Sequence, residues 1–138
     1  MPPKILYADD DNSWRKMAVM RLKRAIKEDI DFLEASNGEK AIEIIEKTAN
    51  EISLVITDIN MPKANGNEVA RIAFKYEIPV ITFNANINAV ADDVRAKCAG
   101  IYEVGLDGLK QIIEKIKENP QPVVDIMFKD VKIKARIF

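Results

Sequence analysis

A chain of 138 residues with 48% apolar and 31% charged residues can bury one real core, and its balance is not that of a disordered polypeptide. Its 21 basic and 22 acidic side chains leave a net charge of −1, so no overall field draws it to nucleic acid or to an anionic membrane. With no histidine and a single cysteine, Cys98, it has no His–Asp triad, no histidine metal site, no phosphohistidine of its own and no internal disulfide. No apolar run approaches a membrane span and the start, Met1-Pro2-Pro3-Lys4, is no signal peptide, so a cytoplasmic protein is expected.

Residues 5–8 form a short apolar run that ends in Asp9-Asp10-Asp11 and read as a first strand. Asn12 or Ser13 is placed to cap the next helix, along which Trp14, Met17, Ala18, Leu22, Ala25 and Ile26 recur at helical spacing. Residues 30–35 are a second strand, and Asn37-Gly38 is a turn before a helix with Ala41, Ile44, Ile45 and Thr48 facing inward. Residues 52–57 are a third strand, wholly apolar at its centre, that delivers Asp58 at its end. Met61-Pro62 and Gly66 then turn the chain. A third helix follows over about 66–76, with Val69, Ile72, Ala73 and Tyr76 inward.

Pro79 opens a fourth strand, Val80-Ile81-Thr82-Phe83, and residues 84–88 are a polar bend. Residues 89–99 are expected as a fourth helix stopped by Gly100, with Cys98 as a small core residue near its end. Residues 101–104 form a fifth strand, and Leu109, Ile112, Ile113 and Ile116 mark the inner stripe of a fifth helix. Beyond Pro120 and Pro122, residues 123–128 and 131–138 read as two strands, the second alternating apolar with basic. We therefore expect a domain over 1–119 and a C-terminal β extension over 120–138, docked on the domain or on a partner.

Strands alternating with helices imply right-handed crossovers and a parallel sheet covered on both faces, and the acid clusters at two strand ends fit the doubly wound order 2-1-3-4-5. In that order strands one and three are neighbours, so Asp9, Asp10 and Asp58 converge at the end of the sheet where α/β proteins bind ligands. Read alone, Asp58 also fits a turn or helix-capping acid. Three close carboxylates raise one another's pKa unless a cation neutralises them, and Mg²⁺, which shares carboxylates with water and phosphate oxygens, answers that need. An exposed aspartate beside such an ion suits phosphoryl transfer through an acyl phosphate.

Asp9-Asp10 after the first strand, Asp58-x-x-Met61-Pro62 with Gly66, and the Pro79-Val80-Ile81 strand together resemble the flavodoxin-like receiver domain of two-component response regulators (CheY-like) over residues 4 to about 118. The resemblance implies Mg²⁺-dependent phosphorylation of Asp58, with Asp10 and Asp58 holding the ion by side chain, Asn60 by its carbonyl, and Asp9 assisting through water. It implies a histidine kinase or phosphotransfer protein as phosphodonor, and a downstream protein on the face of helix four, strand five and helix five. Tyr102 falls at the family's switch aromatic, and also fits an aromatic packed on an edge strand. A homodimer is compatible with the reading. Neither membrane nor direct nucleic-acid binding is expected.

Two departures stand out. Asn84 occupies the family's Ser/Thr switch position, and Gly105 replaces the lysine at the end of strand five. A hydrogen bond to a charged group is worth about 1.5–3 kcal/mol, and a typical allosteric coupling about 1–3 kcal/mol. Losing the lysine contact therefore removes a large share of the switch. Lys63, five residues past Asp58, is a candidate replacement counter-ion; otherwise it is a solvated loop lysine. The alternative function is a degenerate receiver that binds proteins without phosphorylation. A small Mg²⁺ phosphatase would need a second acid just after Asp58, where Ile59-Asn60 stand.

Overall fold

The computed structural model describes residues 4–26 and 29–118, the last four without their side chains. The two strands expected over 120–138 lie outside the described residues. Within them, strands and helices alternate: β1 Lys4–Ala8, α1 Asn12–Ala25, β2 Asp31–Ala35, α2 Gly38–Thr48, β3 Ile52–Thr57, α3 Gly66–Lys75, β4 Val80–Asn84, α4 Asp92–Lys97, β5 Gly100–Glu103 and α5 Leu106–Glu118. All strand pairings are parallel, and the order is β2-β1-β3-β4-β5. This is the doubly wound topology expected from the sequence.

The period of two along each strand sends alternate side chains to two separate cores. Leu6, Ala8 and Val55 face one way, against Ala41 and Ile45 of α2, Val69 and Ala73 of α3 and Val94 of α4. Ile5, Tyr7, Leu54, Ile56 and Phe83 face the other, against Ala18 and Leu22 of α1 and Leu109 and Ile112 of α5. Every residue of β3 is buried, whereas the edge strands β2 and β5 keep most of theirs part-exposed. Full burial of each large aliphatic contributes about 1.5–3 kcal/mol, so β1 and β3 anchor the molecule. No helix among the described residues is long and apolar enough to cross a membrane.

Five local expectations are corrected. The N-cap of α1 is Asp11, whose side chain accepts from the Trp14 N–H, because a carboxylate three residues after the strand reaches the first turn before Asn12 or Ser13 can. Tyr76 is 42% exposed: α3 ends at Lys75, so the inward stripe stops at Ala73. The fourth helix spans only Asp92–Lys97; residues 87–89 form a 3₁₀ turn, and Ala91 and Cys98 are extended. Cys98 is accordingly half-buried past the helix end rather than in the core. Asn84 belongs to β4 and is buried, so the polar bend begins one residue later.

Candidate functional site

The register of β1 against β3, with Ala8 opposite Thr57, puts the next residue of each strand at the same level. The Asp58 N–H continues the ladder to the Ala8 carbonyl at 2.9 Å, and the Asp9 N–H continues it to Ala35 at 3.0 Å. Both aspartates thus leave a rigid sheet at its carboxyl end. One carboxylate oxygen from each of Asp9, Asp10 and Asp58 lies within 4.8 Å of the others. They line a hollow of about 350 Å³, together with Asp11, Trp14, Asn60, Asn84, Ala85, Val104 and Gly105. Four carboxylates and no cationic side chain line it.

Each acid is oriented by its own surroundings. Asp9 Oδ1 accepts from the Asp11 N–H at 2.9 Å, and Asp58 Oδ1 from the Ile59 N–H at 2.8 Å. Burial, and then the charges of Asp10 and Asp11, push the Asp9 carboxyl up to about 6. Burial, and then the charge of Asp9, push Asp58 up to about 6 as well. Beneath them the Tyr7 hydroxyl is driven above its ordinary range, first by burial and then by Asp9. Trp14 sits close enough to act on Tyr7, yet the Tyr7 hydroxyl and Trp14 Nε1 are both buried without a hydrogen-bond partner of good geometry.

The loop after Asp58 is shaped by Gly66. Its N–H donates to the Ile59 carbonyl at 2.8 Å, and a Cβ at this position would collide with the Asp58 carbonyl oxygen. Ile59 and Met61 point into the core, leaving Asn60 exposed at the hollow. Asn84 reaches the hollow from the end of β4, but its Nδ2 donates to the Asn86 carbonyl at 2.5 Å. Gly105 closes the corner where the lysine is absent; its φ of +141° is glycine territory, and a Cβ there would meet nothing within 4 Å.

Two residues named from the sequence lie outside the hollow. Lys63 is exposed in the turn after Pro62, with a left-handed φ of 70°, and does not line the hollow. Tyr102 is half-buried on β5 opposite Phe83, against the α1/α5 core. A larger hollow, about 640 Å³ between α1 and α5, lies near Met17, Met20, Leu106 and Ile113. No cluster of carboxylates converges there, so it is not the candidate.

Sequence reasoning missed Arg15. It is buried, donates from Nη1 to the Asp9 carbonyl at 2.6 Å, and pairs through Nε with Glu34 at 3.0 Å. It therefore fixes the backbone that carries Asp9. A signal existed: Arg15 stands one turn before Val19 and two before Leu22 on the buried stripe of α1, where a cation needs a partner.

These donors fit a small hard cation. Three anionic oxygens come together, two of them held above the usual carboxylate range by desolvation and mutual repulsion, in a space with room for water.

Residues 5–104 match the family model described as "Response regulator receiver domain". The transcriptional regulatory protein FlgR of Helicobacter pylori is 36% identical over 127 residues, covering 85% of this chain and 32% of that protein. A chemotaxis protein CheY homolog of Campylobacter jejuni is 32% identical over 101 residues, covering 71% of this chain and 75% of its own length. The chain spans 32%, 34% and 37% of the length of three curated relatives that it matches. Among solved structures, the receiver domain of the hybrid histidine kinase CckA superposes with a TM-score of 0.66 at 27% identity, covering 86% of this chain and 99% of that one. The response regulator TrrA of Thermotoga maritima, in complex with Mg²⁺ and BeF, shares the fold with a TM-score of 0.71 at 24% identity, over 84% and 97% of the two chains.

Proposed function

This chain belongs to the response regulator receiver family of two-component signalling, and on that premise we propose that Asp58 is its phosphoryl acceptor, in a reaction dependent on Mg²⁺. The observation that carries the reading is the convergence of Asp9, Asp10 and Asp58 within 4.8 Å at the carboxyl ends of two adjacent strands. Asp10 and Asp58 would hold the ion by carboxylate and Asn60 by its backbone carbonyl, with Asp9 assisting through water. When bound, Mg²⁺ supplies charge neutralisation at the carboxylates and at the incoming phosphoryl oxygens.

This chain's residues do the rest. Asp58 presents its free carboxylate oxygen while Ile59 N–H holds the other at 2.8 Å. Its P–O bond forms as the P–N bond of a histidine kinase or phosphotransfer protein breaks. Arg15, gripping the Asp9 carbonyl, keeps the acid pair aligned through that exchange. Output passes to a protein partner on the face of α4, β5 and α5, with Tyr102 as the responding aromatic. Lys63, folded back over the site, would serve as a partial counter-ion; unchanged rate and lifetime of the acyl phosphate in Lys63→Ala would rule this out.

A phosphorylation-independent binding module is not favoured. Clustering desolvated carboxylates destabilises the fold, and a docking surface gains nothing from it. The test uses Trp14, the single tryptophan, which borders the hollow. Mg²⁺ should quench its fluorescence, and beryllofluoride should add a second change that Asp58→Asn abolishes. No response to Mg²⁺ would overturn the acceptor reading.

A further inference from the structure

Asn67 follows Gly66 in the first turn of α3, and its side-chain amide is buried. Nδ2 donates to the Ala89 carbonyl at 3.0 Å, and Oδ1 accepts from the Ala91 N–H at 2.9 Å. The Ala89 N–H in turn donates to the Asn86 carbonyl at 3.0 Å, and that carbonyl also receives Asn84 Nδ2. Three hydrogen bonds therefore run from the Asn67 amide, through residues 89 and 86, to the Asn84 amide at the acid hollow. Solvent competes poorly for the two ends, since both side chains are buried.

Neighbouring contacts hold the same segment. Arg95 donates to the Ile87 carbonyl at 2.5 Å. One turn along α3 from Asn67, Arg71 grips both carboxylate oxygens of Asp93, at 2.8 and 3.0 Å. Residues 86–91 are thus strapped to α3 rather than left as a free loop. In the same segment the Asn84 side chain turns to a carbonyl two residues further along its own chain, and α4 begins only at Asp92.

We propose that Asn67 is a positioning residue for Asn84. By fixing Ala89 and Ala91, it keeps the Asn86 carbonyl where it occupies the Asn84 amide, in competition with any anion on Asp58 for that donor. The proposal deepens the acceptor reading and rests on it for its consequence. An anion on Asp58 that draws Asn84 Nδ2 toward itself must strip a donor from Asn86, and the disturbance reaches α3 and the start of α4 through Ala89. Coupling of this kind is reciprocal: loosening the Asn67 end makes the turn of Asn84 easier.

Asn67→Leu, which removes both amide bonds while keeping the same number and branching of side-chain heavy atoms, tests this in the metal-free protein first. Exchange of the Asn84 side-chain amide protons with water, followed by NMR, should rise at least tenfold while backbone amides of β1 and β3 stay unchanged. In the presence of Mg²⁺, beryllofluoride should then bind about three- to tenfold more tightly than to wild type, with Mg²⁺ affinity alone unaltered. That gain should vanish in an Asn84→Ala background. Unchanged Asn84 exchange would overturn the relay, and unchanged beryllofluoride affinity would overturn the positioning role. Wild-type protein that never binds beryllofluoride would instead overturn the acceptor reading, leaving the exchange result to judge the relay. If Asn67→Leu does not fold, Asn67→Asp, which keeps the acceptor for Ala91 but loses the donor to Ala89, carries the same measurements.

Discussion

Asp9 and Asp58 hold their protons up to about pH 6, against an ordinary 3.8, because the fold desolvates them side by side. The folded state therefore binds these protons more tightly than the unfolded chain. Above about pH 6 both states are ionised and the fold bears the full penalty. As pH falls toward about 4 the folded carboxyls protonate first and the penalty is relieved. The whole gap at one site would be worth about 3 kcal/mol, and solvent screening at half-buried Asp58 leaves about 1–2 kcal/mol. Asp58→Asn should thus stabilise the metal-free protein by about 1–2 kcal/mol at pH 7.5, in urea melts, with most of the gain gone at pH 4. Arg15 acts in the opposite sense. Arg15→Met removes a charge-assisted bond to the Asp9 carbonyl and the Glu34 pair, and should cost about 1–3 kcal/mol in the same melts while weakening Mg²⁺ binding.

Among elements, the turn from β3 to α3 and the turn from β5 to α5 use glycine for different reasons. At Gly66 the obstacle is space, since a Cβ would strike the Asp58 carbonyl. At Gly105 there is space, and the obstacle is a φ of +141°. Gly66→Ala should therefore cost about 2–4 kcal/mol and displace Asp58, lowering Mg²⁺ affinity. Gly105→Ala should cost about 1–2 kcal/mol of backbone strain and leave Mg²⁺ affinity near wild type. Thermal melts with and without Mg²⁺ separate the two. For that reason the lysine absent at 105 is not restored by a simple substitution: the backbone there is one that only glycine adopts readily.

At the scale of the molecule, the sheet is strongest where it is central. Amides of β1 and β3 should exchange slowest, at the rate of global opening, and those of the edge strands β2 and β5 faster. The acid hollow caps the slow pair, so an ion bound there acts on the whole fold. Mg²⁺ at a hundred times its dissociation constant should stabilise the protein by about 2.7 kcal/mol. Since the ion binds the ionised acids, that gain should shrink as pH falls below about 6, opposite in sign to the metal-free trend. Calorimetry at pH 7.5 and pH 5, with and without Mg²⁺, checks both signs.

By itself the sequence determined the strand order and the convergence of Asp9, Asp10 and Asp58. Apolar runs, turn residues and chain direction are local signals, and right-handed crossover leaves a handful of ways to assemble them. The acids ending two of the strands select the order 2-1-3-4-5 among those. Helix stripes were legible too, at Ala41 and Ile45 or at Leu109 and Ile112, because burial follows period. The tertiary structure alone decided what Asn84 does, where α4 begins and what Arg15 holds. Asn84 is an amide whose partner lies two residues on; Asn67 finds its partners 22 and 24 residues away, and Arg15 finds Glu34 at a separation of 19. A polar side chain inside a fold takes its role from whichever donors and acceptors the packing leaves beside it, and those partners carry no periodic trace along the chain.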